Sequence, residues 1–74
     1  MFEELKQMIV AKLNVSPELV SPEASFDEMD LDSLALVELS LLLEKELEIH
    51  VSDDELRDAK TLGRAAQLLV ERAA

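Results

Sequence analysis

A leucine-rich run at positions 34–47 restricts the fold of this chain more than any other feature, because its spacing is that of an α-helix. At about 100° per residue, the leucines on one side form a face that must be buried. These residues are Leu36, Leu39, Leu43 and Leu47. The run directly follows Asp32 and Ser33, so we predict a helix at 33–47 that begins at Ser33.

Ser33 lies at the start of this helix, where backbone N–H groups lack intrahelical partners and the helix dipole is positive. Such a position can hold a phosphate. A serine after an aspartate at a helix start is also a common N-cap, which gives the hydroxyl a purely structural alternative. A long irregular loop, then Asp-Ser-Leu, then an acidic helix favour the first interpretation, in which Ser33 is an attachment point.

Three other segments have helical spacing or helix-start signals. They are a first helix at 2–13, ended by Asn14; a short third helix at 53–57, opened by a capping box of Ser52 and Glu55; and a fourth helix capped by Thr61. We expect the fourth helix to bury a stripe made of Leu62, Ala65, Ala66, Leu69 and Val70. Gly63 in its first turn costs up to about 1 kcal/mol of helix stability.

The connection at 14–32 shows no sustained periodicity, although two Ser-Pro-Glu triplets can each seed one helical turn. Connections of this length are unusual in a compact domain and are often functional. Four apolar side chains are expected to pin it to the core: Leu19, Val20, Phe26 and Met29. The sequence therefore predicts an all-α fold in one domain at 1–74. We expect a small four-helix bundle with a long first loop and a short third helix.

The net charge of −10 limits the partners of the chain. This charge disfavours binding to nucleic acid and to anionic membranes, and it favours binding to proteins with basic surface patches. No apolar run is long enough to span a bilayer, the first residues lack the basic start of a signal peptide, and the sequence has no cysteine. We expect a cytoplasmic monomer that binds no nucleic acid and does not insert into membranes, either as a free-standing protein or as a domain excised from a longer one.

The side of the second helix opposite its buried face carries a mixed stripe in line with Ser33. The stripe consists of Leu34, Glu38, Leu41, Lys45 and Glu48. Two exposed leucines in one line with Ser33 indicate a surface on which a partner docks. The alternative is that the bundle buries Leu41.

Ser40 lies near the edge of the core, where its hydroxyl can donate to the carbonyl of Leu36.

Catalysis has little support in these residues. The only histidine, His50, lies on the order of 25 Å along the chain from Ser33, whereas a Ser–His pair needs contact at about 3 Å. We expect His50 to be a linker or surface residue. Asp27, Asp30 and Asp32 do not form an EF-hand pattern, so we expect no dedicated metal site. A carboxylate pair for acid–base catalysis stays an alternative, although so small a chain offers little room for a closed cleft.

Several motifs together resemble the acyl carrier protein family. Asp32-Ser33-Leu34 matches the family's DSL motif, and Val37-Glu38-Leu39 with Leu43-Glu44 matches the helix that follows it. Segment 48–55 matches the stretch into the third helix, and Thr61-Leu62 matches the start of the last one. The resemblance covers essentially the whole chain, and the length and negative charge agree with it.

This resemblance implies that Ser33 carries 4′-phosphopantetheine through a phosphodiester and that the chain is not an enzyme. A phosphopantetheinyl transferase would take the arm from coenzyme A with Mg²⁺, and the thiol of the arm would hold acyl groups as thioesters. Asp32 would assist recognition by the transferase, with Leu34 next to the attachment site. Acyl-loading and acyl-processing enzymes would dock through basic patches on the second helix, at Leu34, Glu38, Leu41, Glu44, Lys45 and Glu48. The apolar core between the second and third helices could open to shelter an acyl chain.

Four positions depart from the family pattern. Asp30 stands where many members have Gly, in a turn that Asp tolerates, and Ser52 replaces a frequent Pro. Ala35 and Lys45 replace residues that are commonly acidic or polar, which weakens the acidic face and leaves room for a specialised pathway beside fatty acid or polyketide synthesis. A different class of function is the alternative: the chain would be an acidic adaptor that binds a basic protein partner without a covalent arm.

Overall fold

The computed structural model describes residues 1–73, and within them it has four α-helices. They are α1 (Phe2–Lys12), α2 (Ser33–Leu47), α3 (Asp53–Ala59) and α4 (Leu62–Ala73), with one 3₁₀ turn at Pro17–Leu19. The predicted all-α four-helix fold is confirmed, and α2 has the predicted bounds. α1 ends one residue earlier than predicted, and α3 continues two residues further. None of these described helices combines the length and the apolar character needed to cross a membrane.

Local signals fix the helix ends. The predicted capping box opens α3, because the N–H of Glu55 donates to Ser52 Oγ at 3.1 Å and the N–H of Ser52 donates to Glu55 Oε1 at 3.0 Å. Asn14, just beyond α1, has a left-handed φ of 62°, and Glu48 at the end of α2 has a φ of 56°. Asn adopts this conformation more readily than most residues, which explains why the first helix does not continue beyond Asn14.

One apolar core lies between the helices. α2 contributes Leu36, Leu39 and Leu43, as its leucine face predicts, while Leu47 at the end of the helix is only half-buried. α4 buries four of the five predicted stripe residues: Leu62, Ala65, Ala66 and Leu69. The fifth, Val70, is 52% exposed, so its prediction was wrong. Val70 lies about 90° from the centre of that stripe, beyond the part of the helix that faces the core.

Buried side chains hold the long first loop against this core. Val20, Phe26 and Met29 are buried as predicted. Leu19 is 49% exposed, which corrects the prediction. It ends the 3₁₀ turn with its side chain toward solvent, and the buried residue is its neighbour Val20. Three further loop residues that were not predicted are also buried: Val15, Ala24 and Leu31.

Backbone contacts tie the loop to the start of α4. Thr61 forms an isolated bridge with Ser25, and its hydroxyl accepts from the N–H of Arg64 at 3.4 Å, consistent with the predicted cap. The N–H of Gly63 donates to the carbonyl of Pro22 at 2.9 Å. A Cβ at position 63 would lie 2.9 Å from that same carbonyl oxygen. The loop therefore approaches the helix so closely that only glycine fits.

We expect Gly63→Ala to destabilise the fold by about 1–3 kcal/mol, since the added methyl group overlaps a backbone carbonyl. In an ordinary helix the same change would stabilise by up to about 1 kcal/mol. Thermal unfolding followed by circular dichroism measures the difference. Gln67→Ala, at an exposed position of the same helix, is the matched control and should be nearly neutral. A Gly63→Ala variant that melts at or above the parent temperature would contradict this account of the contact.

The side chain of Ser40 holds the segment after α2 in place. The hydroxyl of Ser40 donates to the carbonyl of Val51, not to that of Leu36, so the predicted bond within the helix was wrong. The half-buried Ser40 side chain reaches the extended segment after α2, whose Ile49 and Val51 are buried in the core. This bond satisfies a backbone carbonyl in a stretch that has no helical hydrogen bonds of its own.

Candidate functional site

Asp32 is the N-cap of α2. Its backbone is extended, with φ −85° and ψ −174°, and its Oδ1 accepts a hydrogen bond from the N–H of Ala35 at 2.9 Å. Ser33 is the first helical residue, so the alternative in which the serine serves as the cap is wrong. Because the aspartate takes that role, the Ser33 hydroxyl, on an exposed residue, is not used to hold the helix together.

Buried leucines anchor the chain on both sides of Ser33. Leu31 and Leu36 are both in the core, and the N–H of Leu31 donates to the carbonyl of Phe26 at 2.9 Å. Asp30, directly before Leu31, has a left-handed φ of 60° and sets the direction in which the chain enters this segment. An aspartate adopts this conformation with less strain than most residues, so the turn forms without glycine. The exposed serine is therefore presented on a fixed backbone.

Arg57 of α3 contacts the Ser33 hydroxyl. Its Nη2 donates to Ser33 Oγ at 3.2 Å, across 24 positions of sequence. Two carboxylates on the first turn of the same helix orient the guanidinium: Asp54 Oδ1 lies 3.4 Å from Nη1, and Asp53 Oδ2 lies 3.8 Å from Nη2. The contact brings a cation to the serine of a chain whose net charge is −10.

A surface cavity of about 560 Å³ opens beside Ser33. The long loop, the first turn of α2 and the end of α3 form its walls, through Ser25, Phe26, Asp27, Leu31, Asp32, Ser33, Leu36, Arg57 and Lys60. One wall is apolar, and the rest carries two carboxylates and two cations. The cavity can accept an extended group that leaves Ser33 with a negative charge at its base.

Ser25 is a second serine on this cavity, but its hydroxyl is already engaged. Its Oγ accepts from the N–H of Glu28 at 3.1 Å, while Glu28 Oε1 accepts from the N–H of Ser25 at 3.2 Å. The oxygen of Ser33 accepts only the bond from Arg57 among the side-chain contacts of residues 1–73, and its proton is not donated to any of them. What separates the two serines is their place: Ser33 is exposed at the first turn of α2, whereas Ser25 is half-buried and its hydroxyl holds a turn of the loop.

Sequence reasoning missed Arg57, Lys60 and Ser25 as residues near Ser33. Arg57 is four residues after Asp53, which predicts only an ion pair within α3. The contact with Ser33 depends on how α3 packs on α2, and no local pattern encodes it. Acidic residues outnumber basic ones 17 to 7. A basic residue in the short α3 is therefore unusual for this chain, and that was the signal that could have pointed to Arg57.

The stripe in line with Ser33 is on the surface. Leu34 is 75% exposed and Leu41 is 60% exposed, so the alternative in which the bundle buries Leu41 is wrong. The charged residues considered with them are also exposed: Glu38, Glu44, Lys45 and Glu48. Val37, which the sequence analysis did not include, adds a third apolar side chain at 40% exposure. These residues together are called the α2 surface below.

The α2 surface includes a shallow apolar groove with a basic rim. A second cavity of about 320 Å³ is lined by Lys12, Glu38, Leu41, Leu42 and Lys45. Lys12 comes from α1, where its Nζ lies 3.9 Å from Glu46 Oε1. The surface is therefore mixed in charge at this point.

His50 is exposed and lies beside Glu44, with Nδ1 at 3.4 Å from Glu44 Oε1. It does not line the cavity next to Ser33. Within residues 1–73, no group of three or more His, Asp or Glu side chains gathers closely enough to hold a metal ion. The site therefore consists of a hydroxyl, a cavity and nearby charges.

The role of Asp32 as a cap can be tested separately from its charge. We expect Asp32→Ala to destabilise the fold by about 0.5–2 kcal/mol, because the N–H of Ala35 loses its acceptor. Asp32→Asn should stay close to the parent, since asparagine caps helices about as well as aspartate. Thermal unfolding of the three proteins measures both effects. If asparagine proved as damaging as alanine, the negative charge and not the hydrogen bond would be responsible.

The sequence of this chain also matches known proteins over almost its whole length. A family model described as a phosphopantetheine attachment site matches residues 3–69. The acyl carrier protein of Petrotoga mobilis is 41% identical over 73 residues, which cover 97% of this chain and 86% of that protein. The acyl carrier protein of Clostridium perfringens is 38% identical over 72 residues, covering 96% of this chain and 95% of that protein.

A third relative, the acyl carrier protein of a Picosynechococcus species, is 38% identical over 72 residues, covering 96% of this chain and 89% of that protein. The matched region takes in the whole bundle from α1 to the buried part of α4. The chain therefore belongs to the acyl carrier protein family, and its prosthetic group is phosphopantetheine.

Proposed function

We propose that this chain is a non-catalytic carrier that bears 4′-phosphopantetheine on Ser33 Oγ. The thiol of that arm supplies the chemistry, by holding acyl groups as thioesters. The observation that carries the proposal is the Ser33 hydroxyl, which is exposed at the first position of α2, free of any capping role and at the mouth of a cavity of about 560 Å³.

The residues around Ser33 fit a phosphodiester. The first turn of a helix leaves backbone N–H groups free to face an anion, and the helix dipole is positive there. Arg57 Nη2 lies 3.2 Å from the oxygen that would carry the phosphorus, and Lys60 lines the same cavity. The arm can leave along the apolar wall of Phe26 and Leu36.

The rest of the chain keeps Ser33 in place. Asp32 caps the helix start, and the buried Leu31 and Leu36 fix the backbone on either side of the serine. The carrier does no chemistry on its cargo, so its task is to present the arm to other enzymes. We take residues 1–74 to act as one cytoplasmic, monomeric carrier domain.

The α2 surface is the proposed docking site for these enzymes. It includes Leu34, Glu38, Leu41, Glu44, Lys45 and Glu48, all exposed. The partners are a phosphopantetheinyl transferase and acyl-loading and acyl-processing enzymes with basic patches. Exposed leucines give such an interface an apolar centre, and the acids around them speed association without making it tight. Fast and weak binding suits a carrier that visits several enzymes in turn.

The pathway is fatty acid, polyketide or related acyl biosynthesis, and we favour a specialised one. Lys45 is exposed in the α2 surface, and Lys12 of α1 lines the same groove. Two ammonium groups there reduce the attraction for a uniformly basic partner. Partners of this carrier should therefore present a mixed patch, with an acidic group opposite the lysines.

Intact mass distinguishes the carrier from an adaptor that has no arm. The protein is incubated with coenzyme A, Mg²⁺ and a broad-specificity phosphopantetheinyl transferase. We expect its mass to increase by one phosphopantetheinyl group and no more, because Ser33 is the one exposed serine among the residues that line the cavity. A well-studied carrier in a parallel reaction shows that the transferase is active. An unchanged mass beside that positive control would support the adaptor.

A further inference from the structure

Two cations meet at the cavity beside Ser33, on a chain that has only seven lysines and arginines against 17 acids. They are Arg57 and Lys60. The N–H of Lys60 donates to the carbonyl of Arg57 at 3.1 Å, in the turn that ends α3. This turn places both residues on the wall opposite the start of α2. A serine hydroxyl is neutral and does not require a positive charge beside it, so Ser33 alone does not account for the two cations.

Arg57 is oriented toward Ser33 before any group is attached there. Asp53 and Asp54 hold its guanidinium at 3.8 and 3.4 Å, which leaves Nη2 directed at Ser33 Oγ. A guanidinium has five donors, and a hydroxyl oxygen uses one of them. A phosphate on the same oxygen would bring two further oxygens and a full negative charge within reach of the same group.

The residues that line the cavity carry equal numbers of opposite charges, and Asp53 and Asp54 lie beside Arg57 in addition. Asp27 and Asp32 contribute two negative charges to its wall, and Arg57 and Lys60 contribute two positive ones. One oxygen of Asp32 is already occupied by the N–H of Ala35. A phosphodiester adds one negative charge to a protein that is already at −10, which is unfavourable unless a cation lies beside it.

We propose that Arg57, supported by Lys60, binds the phosphate of the group on Ser33 and holds the base of the arm against α3. This inference rests on the proposed function, since it requires an arm on Ser33. Arg57 acts here as a positioning residue: it does not take part in attaching the arm or in acyl transfer. The arm then pivots from a fixed base, and high salt releases it because an exposed ion pair is screened.

The test compares the melting temperature of each protein with and without the arm. Three proteins are used: the parent, Arg57→Gln, and Arg64→Gln as the control. Arg64 is an exposed arginine of α4 that lines a different cavity, so its replacement removes the same charge without touching Ser33. The loss of the ion pairs between Arg57 and its two aspartates affects both forms equally and cancels when the unmodified value is subtracted from the modified one.

We expect the modified-minus-unmodified difference to fall by about 2–5 °C in Arg57→Gln relative to the parent, and to be unchanged in Arg64→Gln. Arg57→Lys should keep part of the effect, since it preserves the charge without the planar fork. At 1 M salt the parent and Arg57→Gln should give the same difference. The phosphorus NMR resonance of the arm, a second readout, should move in Arg57→Gln and stay in place in Arg64→Gln.

The possible failures are distinguishable. If the parent takes up no arm, the proposed function is wrong. If every protein takes up one arm, but the differences in melting temperature and the phosphorus resonances are the same in the parent and in Arg57→Gln, then Ser33 carries the arm and Arg57 does not bind its phosphate. Should Arg57→Gln fail to fold, Arg57→Lys takes its place in the same comparison with the parent, and a smaller difference supports the proposal while an equal one overturns it.

Discussion

A Ser33→Ala variant is expected to keep its unmodified mass after incubation with coenzyme A and a transferase, while a Ser25→Ala variant gains one phosphopantetheinyl group like the parent. Both serines line the same cavity. They differ in what their hydroxyls do, because Ser25 Oγ accepts from the N–H of Glu28 whereas Ser33 Oγ meets only Arg57 among the side chains of residues 1–73. Alanine at position 33 removes the hydroxyl that is exposed at the start of α2.

Intact mass spectrometry of the three proteins under the same conditions measures this effect, which should be complete and not partial. Circular dichroism of the unmodified proteins serves as the control for folding. Ser33 is exposed, and Asp32 provides the helix cap. The free energy of unfolding of Ser33→Ala should therefore lie within about 0.5 kcal/mol of that of the parent. A folded Ser33→Ala protein that still gains the group would contradict the assignment.

A Leu39→Ala variant is expected to lose about 2–5 kcal/mol of stability, because the removed atoms leave a cavity in the core. Leu39 is completely buried on α2. A chain of this size has only about 4–11 kcal/mol of stability in total, so the loss is a large share of it. Leu41→Ala is the matched control: the same change, two residues further along the same helix, at a side chain that is 60% exposed.

Urea unfolding of both variants measures the contrast in stability. Leu41→Ala should remain within about 0.5 kcal/mol of the parent, since it removes little buried surface. Its effect should appear in docking, as a several-fold rise in the transferase KM with an unchanged kcat. Equal destabilisation by the two substitutions would mean that the two faces of α2 are not separated as described. An unchanged KM in Leu41→Ala would remove this leucine from the α2 surface.

Repeating patterns and local contacts are what made the helices predictable. The leucine spacing of α2 fixes both its bounds and the face that it buries, and the Ser52–Glu55 capping box fixes the start of α3. These features depend on residues within a few positions of one another, so the sequence contains them directly. The exposed Leu34 and Leu41 were predicted for the same reason.

The wrong predictions concern residues whose surroundings depend on tertiary contacts. Leu19 and Val70 are apolar residues at the edges of their segments, and only the packing of the bundle determines that they stay exposed. The hydroxyl of Ser40 bonds across to Val51 because the chain after α2 folds back beside it. Gly63 lowers the intrinsic stability of its helix. The reason for a glycine there is the close approach of the Pro22 carbonyl, which is a tertiary contact.

The candidate site divides in the same way. Ser33 and Asp32 could be predicted because a helix start and the DSL motif are local signals, although the sequence left open which of the two caps the helix. Arg57 and Lys60 could not, because they reach the serine from a helix more than 20 positions away. The local pattern of Arg57 indicates only ion pairs within α3.

Fragmentation of the modified parent protein in a mass spectrometer tests the central claim most directly, because it locates the added group on one residue. We predict that every fragment containing Ser33 carries the phosphopantetheinyl mass and that fragments lacking it, including those with Ser25 or Ser40, do not. A group found on any other residue would contradict the claim.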